Sequence, residues 1–291
     1  SYYGSDFSIN PATLSCDVAN RSNTKVGTDA FKRAAFKWLD DALAPWVAEG
    51  WSADDLVMTA SDEIGGQSGS KGVAPMIEVL KVLKAHGRAR YMVFANHRAD
   101  TAALPWADWI AFNDGLPLDA PLFSDARRSA RKVGIYNSGV SRALFGLYAW
   151  RTKVDLVWQW HFYAAFGGTP FNSFDGPQNG MPDLVVPGPD GPLATWMTET
   201  LREGIDDYRY ALALDGAIAR AEKVDHPAVK AALVEARDLR QQVWRQVDPN
   251  LAAMLASDLR RHPEVLEKLR WRLARATLLL EDAVTVSKAR P

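Results

Sequence analysis

The chain has 291 residues, 47% of them hydrophobic, enough to bury a sizeable core in one large α/β domain or two small ones. Its 34 Lys and Arg balance 35 Asp and Glu, so no general attraction to nucleic acid or to an anionic membrane follows. The single Cys16 excludes an internal disulfide and a Cys-rich metal site, and no run of about eighteen apolar residues occurs that would span a membrane.

The chain opens at Ser1-Tyr2-Tyr3 with neither an initiator Met nor a signal-like basic and apolar start, which suggests a processed or trimmed chain. Tyr2 to Ile9 is a candidate strand. Phe31 to Val47 places Phe31, Ala34, Ala35, Trp38, Leu39, Ala42 and Leu43 at helical spacing, and Leu56 to Met58 reads as the strand that follows. That unit then repeats. Val73 to His86 is helical, with Gly87 as its stop, and Tyr91 to Asn96 is a buried strand ending in polar residues. Three further strands are expected at Asp108–Asn113, Lys132–Asn137 and Leu156–Tyr163, with a helix over Arg142–Arg151 between the last two. Leu184 to Val186 is a short last strand candidate. From Phe166 to Asp190 the chain is rich in Gly, Pro, Asn and Asp, as expected of a long loop that walls a site. After Met197 the pattern is helical, punctuated by His226-Pro227, Asp248-Pro249 and His262-Pro263.

Regular alternation of strand and helix predicts an α/β fold with parallel pairing, either an open doubly wound sheet or a (β/α) TIM-type barrel. No Gly-rich phosphate loop follows any strand, which disfavours nucleotide binding in a doubly wound sheet. Five clear strands do not complete an eight-stranded barrel, so either the barrel is incomplete or further residues complete it. Residues 1–205 are assigned to the barrel and 206–291 to a helical C-terminal extension packed on it.

In Thr59-Ala60-Ser61-Asp62-Glu63-Ile64-Gly65-Gly66, adjacent carboxylates stand where an apolar run gives way to a glycine turn. A strand end is where an α/β enzyme holds its reactive side chains open to substrate, which makes Asp62 and Glu63 the leading catalytic candidates. The same pair also suits a solvated acidic turn. Asn96, His97, Asn113, Asp114, Tyr136 and Asn137 fall at other expected strand ends, as candidate hydroxyl ligands. On the Leu156–Tyr163 strand, alternation sets Trp158 and Trp160 on one face and Gln159, His161 and Tyr163 on the other. Either set suits sugar contact, through an aromatic platform or through hydrogen bonds, and either equally suits a core.

Gly146-Leu147-Tyr148-Ala149-Trp150, Val157-Trp158-Gln159-Trp160, Pro187-Gly188-Pro189-Asp190-Gly191-Pro192-Leu193 and Leu201-Arg202-Glu203-Gly204-Ile205-Asp206-Asp207-Tyr208-Arg209-Tyr210 resemble, in order and spacing, the catalytic domain of family 123 glycoside hydrolases. The resemblance covers about Leu56 to Tyr210. It implies a (β/α) barrel, a β-N-acetylgalactosaminidase-like activity on an oligosaccharide or glycoconjugate, and a secreted or periplasmic location. That family's consecutive Asp-Glu pair corresponds to Asp62-Glu63. Two positions depart from its pattern: Ile64 stands where Pro is common, and Met197 where relatives usually carry Arg.

Adjacent carboxylates cannot easily flank a sugar from opposite sides, but they suit a substrate-assisted retaining mechanism, in which the 2-acetamido oxygen attacks the anomeric carbon. Glu63 is then the acid and base, and Asp62 orients the acetamido group. Asn96, His97, Asn113, Tyr136, Trp158, Trp160 and His161 are the expected substrate-binding residues. No cofactor is implied, and the His residues lack a metal-binding spacing. Two alternatives stay open: a glycoside hydrolase for a different sugar that pairs Glu63 with Asp114 or Asp175, and a non-catalytic carbohydrate-binding relative.

Overall fold

The computed structural model describes residues 7–10, 15–18, 23–52, 54–61, 73–113, 120–128, 132–159 and 184–289. The chain divides into two compact units, Ser1–Leu116 with Pro121–Tyr136, and Pro117–Ala120 with Asn137–Pro291.

The first unit opens with β1 (Phe7–Asn10), β2 (Ser15–Val18) and β3 (Asn23–Lys25), an antiparallel sheet in that order. Sequence patterning marks only Tyr2–Ile9 here, because the alternation of Ser15–Val18 spans just four residues and Asn23–Lys25 is polar throughout. Helix α1 (Asp29–Ala48) starts where the Thr28 hydroxyl accepts a hydrogen bond from the Phe31 amide at 3.2 Å. Phe31, Ala35, Leu39 and Leu43, each four residues from the last, form its buried stripe. Helix α2 (Val73–His86) keeps its expected bounds and ends before Gly87, whose φ of 74° suits a residue without Cβ.

Strands β4 (Val57–Ser61), β5 (Arg90–Ala95), β6 (Trp109–Asn113) and β7 (Lys132–Tyr136) pair in parallel, in that order. Val93, Ala95, Ile110, Phe112, Val133 and Ile135 are sealed from solvent and form the core of this unit. Continuous apolar runs follow from a parallel sheet covered on its faces. Helix α3 (Ala120–Arg128) has no counterpart in the expected elements, since Pro121 and the Ser124-Asp125 step break its short apolar pattern. Tertiary contact makes it, with Leu122, Phe123 and Ala126 buried and the Phe123 ring 6.4 Å from that of Phe112.

The second unit begins with a π-type turn over Leu144–Tyr148 that continues into α4 (Ala149–Thr152), followed by β8 (Leu156–Trp158). Strand β9 (Val185–Gly188) pairs antiparallel with β10 (Gly191–Ala194). The Leu184–Val186 segment therefore opens a hairpin instead of closing a parallel sheet, because Pro189-Asp190 turns the chain and Gly191, at φ 139°, completes the reversal.

Helices α5 (Trp196–Ala221), α6 (Pro227–Gln246), α7 (Leu251–Ala256), α8 (Asp258–Arg261) and α9 (Pro263–Ala289) fill the rest. The expected punctuation holds: Pro227 and Pro263 open α6 and α9, where a missing N–H costs nothing. Leu214, Ala217, Val229, Leu233, Val243, Leu269, Leu273 and Leu280 are buried among α5, α6 and α9. The fold is mixed α/β, and no helix among the described residues is long and apolar enough to cross a membrane.

Candidate functional site

Parallel pairing gathers the carboxyl ends of β4, β5, β6 and β7 on one edge of the first unit, the edge at which open α/β sheets and barrels bind ligands. Strand β4 extends past the expected Met58 to Ser61, the residue directly before Asp62. Its register against β5 shifts between Thr59 and Ser61, a bulge of the kind that re-aims a strand end beside a site. Asp62 and Glu63 themselves lie outside the described residues, as do Asp114, Trp160, His161 and Asp175.

At the same edge, Ala95 pairs with Phe112 and Asn113 with Tyr136, so Asn96 stands level with Asn113 one residue beyond β5. Alternation puts Phe94, Asn96, Asn113 and Tyr136 on one face. The edge-on contact of the Phe94 and Tyr136 rings, 4.7 Å between centroids, agrees with that placement. Burial separates their capacities. Tyr136 is 2% exposed, a packed aromatic, whereas Asn96 and Asn113 are half-buried and His97 is exposed.

Asp100 is a further residue of this edge that pattern reading passes over. It is fully buried, and its Oδ2 accepts hydrogen bonds from the amides of Asn96 at 3.0 Å and His97 at 2.9 Å. Its own amide donates to the His97 carbonyl at 3.0 Å, at the start of the 3-10 turn Arg98–Ala103. The sequence signal for it is spacing: an Asp three residues after the strand-end His97, the separation at which a carboxylate reaches back to a cap amide.

In the second unit, the Asn137 amide donates to the Trp158 carbonyl at 3.1 Å. Asn137 adopts a left-handed φ of 58°, which an Asn tolerates better than a branched residue. Trp158 is 39% exposed at the end of β8, and Gln159 beside it is half-buried. These residues are presented by the second unit, and Asn96, His97, Asn113 and Tyr136 by the first.

Two motifs of the resemblance, Gly146–Trp150 and Leu201–Tyr210, make packing contacts. Gly146 and Gly204 bring the π-type turn and α5 into backbone contact. Asp207, 1% exposed, binds Arg142 through Nε at 2.7 Å and Nη2 at 3.0 Å, and Arg270 through Nε at 2.6 Å. Glu203 accepts from Arg270 Nη1 at 2.6 Å. Burial pushes the Glu203 carboxyl up, but the Arg270 hydrogen bond and the charges of Arg270, Arg202 and Arg142 outweigh it and hold the group below its ordinary value. Burial opposes the charge on Arg142 and Arg270, yet their carboxylate partners win and keep both firmly protonated.

A second cluster joins Trp150 Nε1 to Asp215 at 2.8 Å and Arg240 Nε to the same carboxylate at 2.5 Å, with the Arg151 guanidinium 4.1 Å from the Trp244 ring centre. The departing Met197 is buried at the start of α5, where its amide donates to Thr195 Oγ1 at 3.2 Å. Among the described residues no group of His, Cys, Asp and Glu is arranged to hold a metal ion.

No family model matches the chain, and no curated protein matches it in sequence. Among solved structures it is similar to a family 123 glycoside hydrolase from Clostridium perfringens, a structure that addresses glycolipid glycan hydrolysis. The TM-score is 0.53 at 12% identity, over 92% of this chain and 48% of that one. The likeness is a distant relationship of fold, and the chain spans about half the length of that protein.

Proposed function

We propose that the protein is a glycoside hydrolase that removes terminal β-linked N-acetylhexosamine, N-acetylgalactosamine favoured, from an oligosaccharide or glycoconjugate by substrate-assisted retaining catalysis. The observation that carries this reading is the common edge of β4 to β7: β4 reaches Ser61, the residue before Asp62-Glu63 in the chain, and Asn96, His97 and Asn113 stand at the ends of the neighbouring strands. The fold shared with a family 123 glycoside hydrolase supports it, as does the Asp-Glu pair that follows Ser61 in the sequence. In this reading residues 1–205 form a (β/α) barrel and 206–291 its helical extension.

Glu63 protonates the leaving oxygen and, in the second step, takes a proton from the attacking water. The substrate's acetamido oxygen supplies the nucleophile, and Asp62 accepts the acetamido N–H and stabilises the positive charge of the oxazolinium. A carboxylate at Asp62 raises the proton affinity of its neighbour, as like charges in one site do. Asn96, His97 and Asn113 bind hydroxyls, and Trp158, Trp160 and His161 are the further sugar contacts of this reading, while Tyr136, 2% exposed, packs beneath the edge. No cofactor takes part.

The test compares 2-acetamido and 2-hydroxy aryl β-galactosides and β-glucosides on one preparation. Hydrolysis confined to the acetamido compounds, with inhibition by a thiazoline mimic of the oxazoline, is expected. Efficient hydrolysis of the 2-hydroxy compounds without thiazoline inhibition would replace substrate assistance by two separated carboxylates. Binding without turnover would identify a carbohydrate-binding relative, the reading to which Ile64 and Met197 point.

A further inference from the structure

Asp100 combines full burial with an unequal use of its two oxygens. Oδ2 takes both the Asn96 and the His97 amide, while Oδ1, equally shut off from solvent, has no hydrogen-bond partner among the described residues. Burying a carboxyl with one oxygen unspent is unfavourable, so stability does not account for an Asp at this place. What the arrangement does achieve is geometric. A single oxygen ties down two consecutive amides directly after β5, fixing the backbone from which Asn96 and His97 project at the carboxyl edge of the sheet.

We propose that Asp100 is a positioning residue of the glycoside site: it holds Asn96 and His97 in their substrate-binding placement before the sugar arrives. Preorganisation of this kind matters because a misplacement of about 1 Å can lower turnover by about 10²-fold. The inference rests on the glycoside reading above and adds to it a residue that does not touch the substrate.

The experiment is a mutant cycle in the full chain: Asp100→Ala, Asp100→Asn, the pair Asn96→Ala with His97→Ala, and the triple Ala variant. Each is assayed for kcat and KM on the best aryl β-glycoside and for calorimetric binding of N-acetylgalactosamine. Asp100→Ala is expected to lose about 10²-fold in kcat/KM. Asp100→Asn, whose carboxamide oxygen still accepts both amides, should recover most of that loss. In the Asn96/His97 double background, adding Asp100→Ala should cost nothing further, which a merely structural role would not produce. Should Asp100→Ala fail to fold, Asp100→Ser, which reaches fewer amides, takes its place in the cycle. An additive loss in the double background, or wild-type kinetics in Asp100→Ala, overturns the positioning role while the glycoside reading stands. A wild type that neither cleaves the glycosides nor binds the sugar overturns both.

Discussion

Gly146 and Gly204 touch backbone to backbone: a Cβ added to Gly146 would lie 2.9 Å from the Gly204 carbonyl oxygen. One added to Gly204 would lie 2.8 Å from the Arg142 carbonyl oxygen and 2.9 Å from Phe145 Cβ. Both glycines belong to the motifs that resemble glycoside hydrolases, and both are there because α5 and the π-type turn approach too closely for any side chain.

Gly204→Ala should therefore destabilise the second unit by about 1–3 kcal/mol, the usual cost of overpacking. Helix propensity alone argues the other way, favouring Ala by about 1 kcal/mol in a helix interior. Chemical denaturation decides between them, and a stabilised variant would show that the contact relaxes freely.

Asp207→Ala should cost more, about 3–5 kcal/mol, because it leaves Arg142 and Arg270 side by side without the buried carboxylate between them. Thermal unfolding measures this. A loss below about 1 kcal/mol, the range of an exposed ion pair, would mean that water reaches the cluster.

Acid should loosen the same cluster. The folded Glu203 carboxyl is held below its ordinary value of 4.5, so its contribution to stability is complete above that pH and disappears as the pH falls through the lower folded value. The melting temperature of wild type should drop more steeply below about pH 4.5 than that of Glu203→Gln, which has no proton to take up. Parallel curves for the two proteins would remove Glu203 from the acid response.

Glu63→Gln should lose about two to four orders of magnitude of turnover on an unactivated glycoside. On a dinitrophenyl glycoside, whose leaving group departs without a proton, the deficit should be much smaller. Equal losses on both substrates would take the acid role away from Glu63.

Trp158→Ala should weaken sugar binding while costing well under the roughly 3–5 kcal/mol of a core Trp truncation, since 39% of the residue is already exposed. Calorimetric titration and a melting curve on one preparation read both quantities. Full core-type destabilisation with unchanged affinity would assign Trp158 to packing.

Local chemistry makes much of this protein legible from its sequence. Helices α1 and α2 follow from apolar residues at helical spacing, and β5 to β7 from apolar runs closed by polar residues; Gly87 stops α2, and Pro227 and Pro263 open α6 and α9, because backbone conformation there depends on the residue itself. The strand that leads toward Asp62-Glu63 is legible in Leu56-Val57-Met58, although β4 reaches Ser61, past the expected Met58. Tertiary structure alone decided what each side chain meets. It joined Arg142 to Asp207 across 65 positions of chain, made α3 a helix by burying Leu122 and Phe123, and turned Leu184–Val186 into a hairpin. It packed Tyr136 against Phe94, left Trp158 partly open, and sealed Asp100 beneath the amides of Asn96 and His97. Burial and ion pairing are set by segments far apart in the chain, and their free energy exists only once the segments have come together.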